Sequence, residues 1–183
     1  NRSIVADPRS ALTQSQLNLK VKFRESFRPF APSVLAEDCQ DWFDLKTESP
    51  YMLLVAQVAK ARLFTLRDND AAHTGFDRLK VERSAIPAVT HVDGSARVQT
   101  IDAETNGRFY KLVKAFKAAT GCPVVVNTSF NVRGEPPVLT PEDAFRCFMG
   151  TDIEVLAVGN CYLKKSAQAK ELLRPTQADF QAD

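Results

Sequence analysis

The spacing of apolar and polar positions divides the chain into short elements. Asp7 before Pro8 reads as a helix cap with proline at the first helical position, and Ala11, Leu12, Ser15, Leu17 and Leu19 form a loose stripe, predicting a first helix over 8–19. Pro29 and Pro32 push their predecessors towards extended geometry, so 28–35 is expected to be extended. A short helix over 37–43 follows. The run 51–56 (YMLLVA) is apolar throughout and of strand length, which predicts a central strand covered on both faces. Residues 60–84 are polar and aperiodic, the pattern of a surface insertion. Asp93-Gly94, flanked by 87–92 and 96–101, predicts a hairpin of two antiparallel strands. Phe109, Leu112, Val113 and Phe116 mark one face of a helix over 104–120, with Gly121 at its C-cap. Val124, Val125 and Val126 make a short buried strand. Thr140, Pro141, Glu142 and Asp143 open a helix that ends at Gly150, and 153–158 is the last strand. Strands alternating with helices, with one hairpin connection, give a mixed sheet in an α/β (α+β) domain. The expected organisation is one domain over 1–165 and a polar tail over 166–183.

Composition narrows the chemistry. The 183 residues carry 24 Lys+Arg against 22 Asp+Glu, a net charge of +2, which is too little for broad phosphate-backbone binding, so nucleic acid is not an expected partner. No apolar run approaches membrane-spanning length. Cys39, Cys122, Cys147 and Cys161 form no CxxC pair, and with two histidines in the chain they do not make a zinc pattern. No charged leader precedes an apolar segment, so buried, reduced thiols and a cytoplasmic setting are expected. The chain opens at Asn1, without methionine, in what reads as a structured polar loop, the expectation for a piece of a longer polypeptide.

Three segments are candidates for chemistry. An extended 20–28 would place Lys20, Lys22 and Arg24 on one face and Val21 and Phe23 on the other, a cation row suited to polyphosphate; the alternative is a solvated edge strand bearing protective lysines. In 91–99 (HVDGSARVQ), His91 is placed to orient a group or move a proton and Arg97 to meet an anion, the alternative being simply a turn. The polar loop from Asn127 through Thr128, Ser129 and Asn131 follows the valine triplet directly, where open sheets form ligand crevices, although Asn and Ser also build turns. A Walker motif, a dinucleotide fingerprint and a Ser-His-Asp order are all missing.

Residues 1–9 (NRSIVADPR), 22–33 (KFRESFRPFAPS), 90–99 (THVDGSARVQ), 127–131 (NTSFN), 133–136 (RGEP) and 140–144 (TPEDA) together resemble the C-terminal domain of the NodU/CmcH family of O-carbamoyltransferases. The resemblance implies a YrdC-like twisted mixed sheet flanked by helices, with a concave basic face. It also implies that this domain joins ATP, with Mg2+, to carbamoyl phosphate as carbamoyl-adenylate. An N-terminal domain of the actin-like ATPase superfamily, which carries the family's iron site and acceptor pocket, then delivers the carbamoyl group to a hydroxyl. On this resemblance Lys22, Arg28 and Arg97 are the expected catalytic groups. Arg2, Arg24, His91, Asn127, Thr128, Ser129 and Asn131 are expected beside them on ATP or carbamoyl phosphate, and no metal ligands are expected within 1–183. Attack on the α-phosphorus loads negative charge on phosphoryl oxygens, so a cationic cradle is the main requirement and no nucleophilic side chain is needed. The alternative function is a nucleotide- or RNA-binding regulatory module without catalysis.

Overall fold

The computed structural model describes residues 2–65 and 73–169, with the backbone alone at 76, 79 and 80. Part of the expected insertion, 66–72, and most of the expected tail, 170–183, lie outside the described residues. The chain divides into two compact units, one built from 1, 3–14 and 29–128, the other from 2, 15–28 and 129–183.

The first unit holds a five-stranded sheet of β1 (Ser3–Ala6), β2 (Ala31–Leu35), β3 (Leu54–Gln57), β4 (Ser95–Ile101) and β5 (Val124–Ser129, its last residue belonging to the second unit), in the order β1-β5-β2-β4-β3. β2 runs parallel to β4 with Ser33 opposite Gln99, and antiparallel to β5 with Ala31 opposite Asn127. The sheet is therefore mixed, as the element pattern predicts. Two helices accompany it, α2 (Cys39–Trp42) and α3 (Ala103–Thr120), while α1 (Ala11–Lys20) starts in this unit and ends in the other. α3 begins where the Asp102 carboxylate accepts from the backbone N–H of Glu104 and Thr105, and stops where Gly121, at φ 76°, turns the chain in a conformation that costs glycine little. Its apolar stripe, Phe109 and Val113, packs on Leu35, Ile101 and Val125. Burial of such side chains stabilises by ~1.5–3 kcal/mol each.

Three expectations are corrected in this unit. The apolar run 51–56 yields an edge strand, not a central one: β3 pairs with β4 alone, and Tyr51, Leu53, Leu54 and Val55 are exposed. Half of the run is spent in a turn with Met52 at φ 58°, held by buried Ser49, whose N–H donates to Thr100 Oγ1 and whose Oγ donates to the Val98 carbonyl. The first arm of the hairpin is a 3-10 turn, Pro87–Val89, followed by irregular chain, because the Ser84 and Thr90 hydroxyls bond each other and Thr90 Oγ1 donates to the Ile86 carbonyl, a local alternative to strand pairing. The antiparallel partner of β4 is β3 instead. The opening residues, read as a polar loop, contain β1.

The second unit contains the end of α1, the loop 21–28, α4 (Pro141–Gly150), and a two-stranded antiparallel sheet of β6 (Val155–Val158) and β7 (Cys161–Lys164). α4 starts with a reciprocal cap in which Thr140 Oγ1 accepts from the Asp143 N–H and the Asp143 carboxylate accepts from the Thr140 N–H. The expected extended row over 20–28 does not form. The Leu17 carbonyl accepts from the N–H of both Val21 and Lys22, Phe23 takes φ 48°, and Asn18 ties down the turns beyond. Alternation is lost as a result: Val21 and Lys22 are both buried, and Lys20 is an exposed partner of Asp152 at 3.7 Å. Cys39, Cys122 and Cys147 are buried free thiols, whereas Cys161 is exposed, contrary to the expectation that all four are buried. Among the described residues no helix is long and apolar enough to cross a membrane.

Candidate functional site

In the first unit, the sheet face beneath α3 changes character along its strands. Leu35, Ile101 and Val125 are covered by the helix; two residues away in each strand stand Ser33, Gln99 and Asn127. Ser33 Oγ donates to Gln99 Oε1 at 2.6 Å, and Asn127 Nδ2 donates to Gln99 Oε1 at 2.8 Å and to Ser33 Oγ at 3.0 Å. Gln99 Nε2 donates to the Pro50 carbonyl at 3.0 Å. That carbonyl can only accept, so it fixes which end of the Gln99 amide faces it. Arg97, next along β4 on the same face, is exposed, and among the described residues no hydrogen bond or ion pair engages it.

His91 stands at the turn before β4. Its Nδ1 lies 3.0 Å from Ser95 Oγ, which donates to the Asp93 carboxylate at 2.7 Å. The hydroxyl proton is committed to Asp93, so Nδ1 carries the imidazole proton and Nε2 is left as an acceptor. Burial, with the Arg97 charge as a lesser cause, holds the His91 pKa below its usual value even though Asp93 pulls the other way, so the ring is neutral at pH 7. Thr128 alternates to the other face of β5 from Asn127.

In the second unit, Lys22 is 4% exposed and its ammonium is surrounded by oxygens: the Ser129 carbonyl at 2.5 Å, Asn131 Oδ1 at 2.7 Å, the Asn131 carbonyl at 3.0 Å and Ser129 Oγ at 3.2 Å. Ser129 Oγ donates to Asn131 Oδ1 at 2.6 Å, and Asn131 Nδ2 donates to the Glu135 carbonyl at 2.7 Å. None of these oxygens belongs to a carboxylate. Burial, aided by Arg24, therefore pushes the Lys22 pKa down to about 8. Arg24 Nε donates to Asn18 Oδ1 at 2.6 Å, and the same buried Asn18 donates to the carbonyls of Ser26 and Arg28. Arg28 pairs with Glu25 at 2.9 Å and is largely solvated. Arg2 ties the loop from its other side, donating to the Val138 carbonyl at 3.1 Å and accepting from the Phe130 N–H.

The structure thus brings Lys22, Ser129 and Asn131 together in the second unit, with Arg24 and Arg28 on the adjoining turn, and assembles Asn127 with Gln99 in the first unit, where Arg97 and His91 also stand. Asn127, Thr128 and Ser129, expected in a loop, are the last residues of β5. Sequence reasoning missed Ser33, Gln99 and Asn18. The signal for Ser33 is a polar residue in an otherwise apolar strand, for Gln99 a polar residue on the same strand face as Ile101, and for Asn18 a polar residue inside a helical stripe.

The family model described as "Carbamoyltransferase C-terminus" matches residues 1–165. The uncharacterized protein sll1178 of Synechocystis sp. is 52% identical over 183 residues, 100% of this chain and 30% of its own length. The nodulation protein NolNO of Sinorhizobium fredii is 39% identical over 93% of this chain and 23% of its own length. The 3'-hydroxymethylcephem-O-carbamoyltransferase of Amycolatopsis lactamdurans is 34% identical over 91% of this chain and 28% of its own length. This chain therefore spans less than a third of each of these curated relatives. With the match running from residue 1 to 165, the chain belongs to the carbamoyltransferase C-terminus family.

Proposed function

We propose that this chain is the adenylating domain of an O-carbamoyltransferase, binding ATP and carbamoyl phosphate and forming carbamoyl-adenylate. An N-terminal actin-like domain of the same polypeptide, which also carries any iron, would pass the carbamoyl group to an acceptor hydroxyl in the cytoplasm. The observation that carries the reading is Arg97, a cation with no partner among the described residues, on a face whose neighbouring amides are already oriented. Water splits carbamoyl phosphate into carbamate and inorganic phosphate. A carbamate oxygen then bonds to the α-phosphorus of ATP as the α–β bridging P–O bond breaks and pyrophosphate leaves. In the first unit Arg97 is the cation that meets charge growing on phosphoryl oxygens, and in the second unit Arg28 is the cation offered to the ATP phosphates. Lys22 adds its charge and holds the loop of Ser129 and Asn131 in place. His91 and Asn127 are the further contacts proposed in the first unit and Arg2 and Arg24 those in the second; Thr128, on the other face of β5 from Asn127, is not among them.

The groups around Lys22 and Arg28 are guanidinium, ammonium and neutral oxygen, with Glu25 paired to Arg28, a set that does not suit a bare cation. Mg2+ accordingly enters on the ATP phosphates, where it would offset charge on the departing pyrophosphate. The test is pyrophosphate release by the full-length protein. Arg97→Ala should abolish the carbamoyl-phosphate-dependent release while circular dichroism stays unchanged; retained release would place the chemistry elsewhere. ATP binding by the wild type with no such release would favour a regulatory nucleotide-binding module.

A further inference from the structure

We propose that Asn127 Oδ1 reads the amino group of the carbamoyl donor, and that Gln99 and Ser33 are positioning residues that keep this oxygen pointed at it. The inference deepens the adenylation reading above and rests on it. It starts from one atom, the Pro50 carbonyl oxygen. Because that oxygen can only accept, Gln99 must turn Nε2 towards it and Oε1 away. Oε1 then takes protons from both Ser33 Oγ and Asn127 Nδ2. With Nδ2 committed to Gln99 and Ser33, the Asn127 amide has a single orientation, and its Oδ1 faces the other way. Asn127 is 8% exposed, yet no described group donates to Oδ1, and no buried side-chain oxygen lacks a partner among the described residues, so this oxygen lies where solvent or a ligand reaches it. A fixed, nearly buried acceptor left open on a face that also carries an unpaired guanidinium matches a small planar anion with an N–H donor. A carbamoyl group is such a ligand, and an acetyl group, with a methyl in place of the amino group, is its mismatch.

A site built to accept a hydrogen bond rejects the analogue that cannot donate one, because its own polar atom is left unpaired. The experiment uses the full-length protein and compares kcat/KM for pyrophosphate release with carbamoyl phosphate and with acetyl phosphate. For Asn127→Leu, the expected result is a fall of ~10-fold or more in the preference for carbamoyl phosphate over acetyl phosphate. Gln99→Leu, which frees the Asn127 amide to rotate, should lower the preference for carbamoyl phosphate by ~10-fold, and Ser33→Ala, which keeps the bond to Pro50, by ~3-fold. A purely structural role would lower both donors together. Parallel losses, or an unchanged preference in the Ser33→Ala and Gln99→Leu variants, would overturn the proposal while leaving the adenylation reading intact. A wild type that releases no pyrophosphate with carbamoyl phosphate would overturn both.

Discussion

Lys22 and Arg97 are both cations that the sequence marks for phosphate, and the two units treat them in opposite ways. Lys22 is buried among four oxygens of Ser129 and Asn131; Arg97 is exposed and unengaged among the described residues. An ammonium has three protons, and here all of them are met by protein oxygens, so its first effect is to hold a loop. A guanidinium with five donors and no partner is available to an anion. The contrast teaches that residue type alone does not separate a binding cation from a positioning one. The partners do.

The largest test of this contrast is Lys22→Met, which strands the oxygens that the ammonium serves. Unfolding free energy from denaturant titration should fall by about 3 kcal/mol; a loss near zero would mean that the loop does not depend on Lys22. The same pair of proteins carries a pH signature. The Lys22 pKa is about 8 in the folded chain against 10.5 for an ordinary lysine, so between these values the unfolded state binds more protons and stability rises with pH. Burial raises the Cys39 and Cys147 thiols to about 11, which works in the opposite sense above pH 9. The stability of wild type minus that of Lys22→Met cancels the Cys39 contribution, leaves of Cys147 only its interaction with Lys22, and should increase from about pH 8 towards 10.5. A flat difference would show that the ammonium is not desolvated.

Next in size is Arg28→Ala. Under the proposed function it should weaken binding of ATP with magnesium by about 1.5–3 kcal/mol in calorimetry, the scale of a charge-assisted bond, with the affinity also falling as salt is raised. Equal affinities would remove the 24–28 turn from the nucleotide site. Ser129→Ala takes one of four acceptors from Lys22 and one donor from Asn131, and should cost about 1 kcal/mol of stability. A cost equal to that of Lys22→Met would make the hydroxyl, and not the ammonium, the centre of the loop.

Local signals were legible in the sequence. Gly121 ends α3, and the Thr140–Asp143 pattern opens α4, because caps and left-handed turns are decided by neighbouring residues. The resemblance was equally legible, since its motifs run through most of the family match. What could not be read was decided by partners distant in sequence. Whether 51–56 sits at the centre or edge of the sheet depends on which strands flank it, and apolar composition is silent on that. The fate of 20–28 turns on Asn18, whose side chain reaches the carbonyls of Ser26 and Arg28 and so replaces a strand with turns. In the candidate site the residue types were visible, but the direction of the Asn127 amide follows from a carbonyl 77 positions earlier, through Gln99.

The smallest expected effect is the sharpest test of the comparison. Arg97→Ala removes an exposed side chain that makes no hydrogen bond or ion pair with any described residue, so unfolding free energy should stay within about 0.5 kcal/mol of wild type. The His91 pKa should rise slightly in this variant, because a nearby positive charge that disfavours the imidazolium has gone, and NMR titration of the ring reads this directly. Stability unchanged with His91 moved upward is the pattern of a cation held ready on a surface. A large loss of stability would instead put Arg97 in the same class as Lys22, a charge that the fold itself consumes, and the distinction between the two units would be gone.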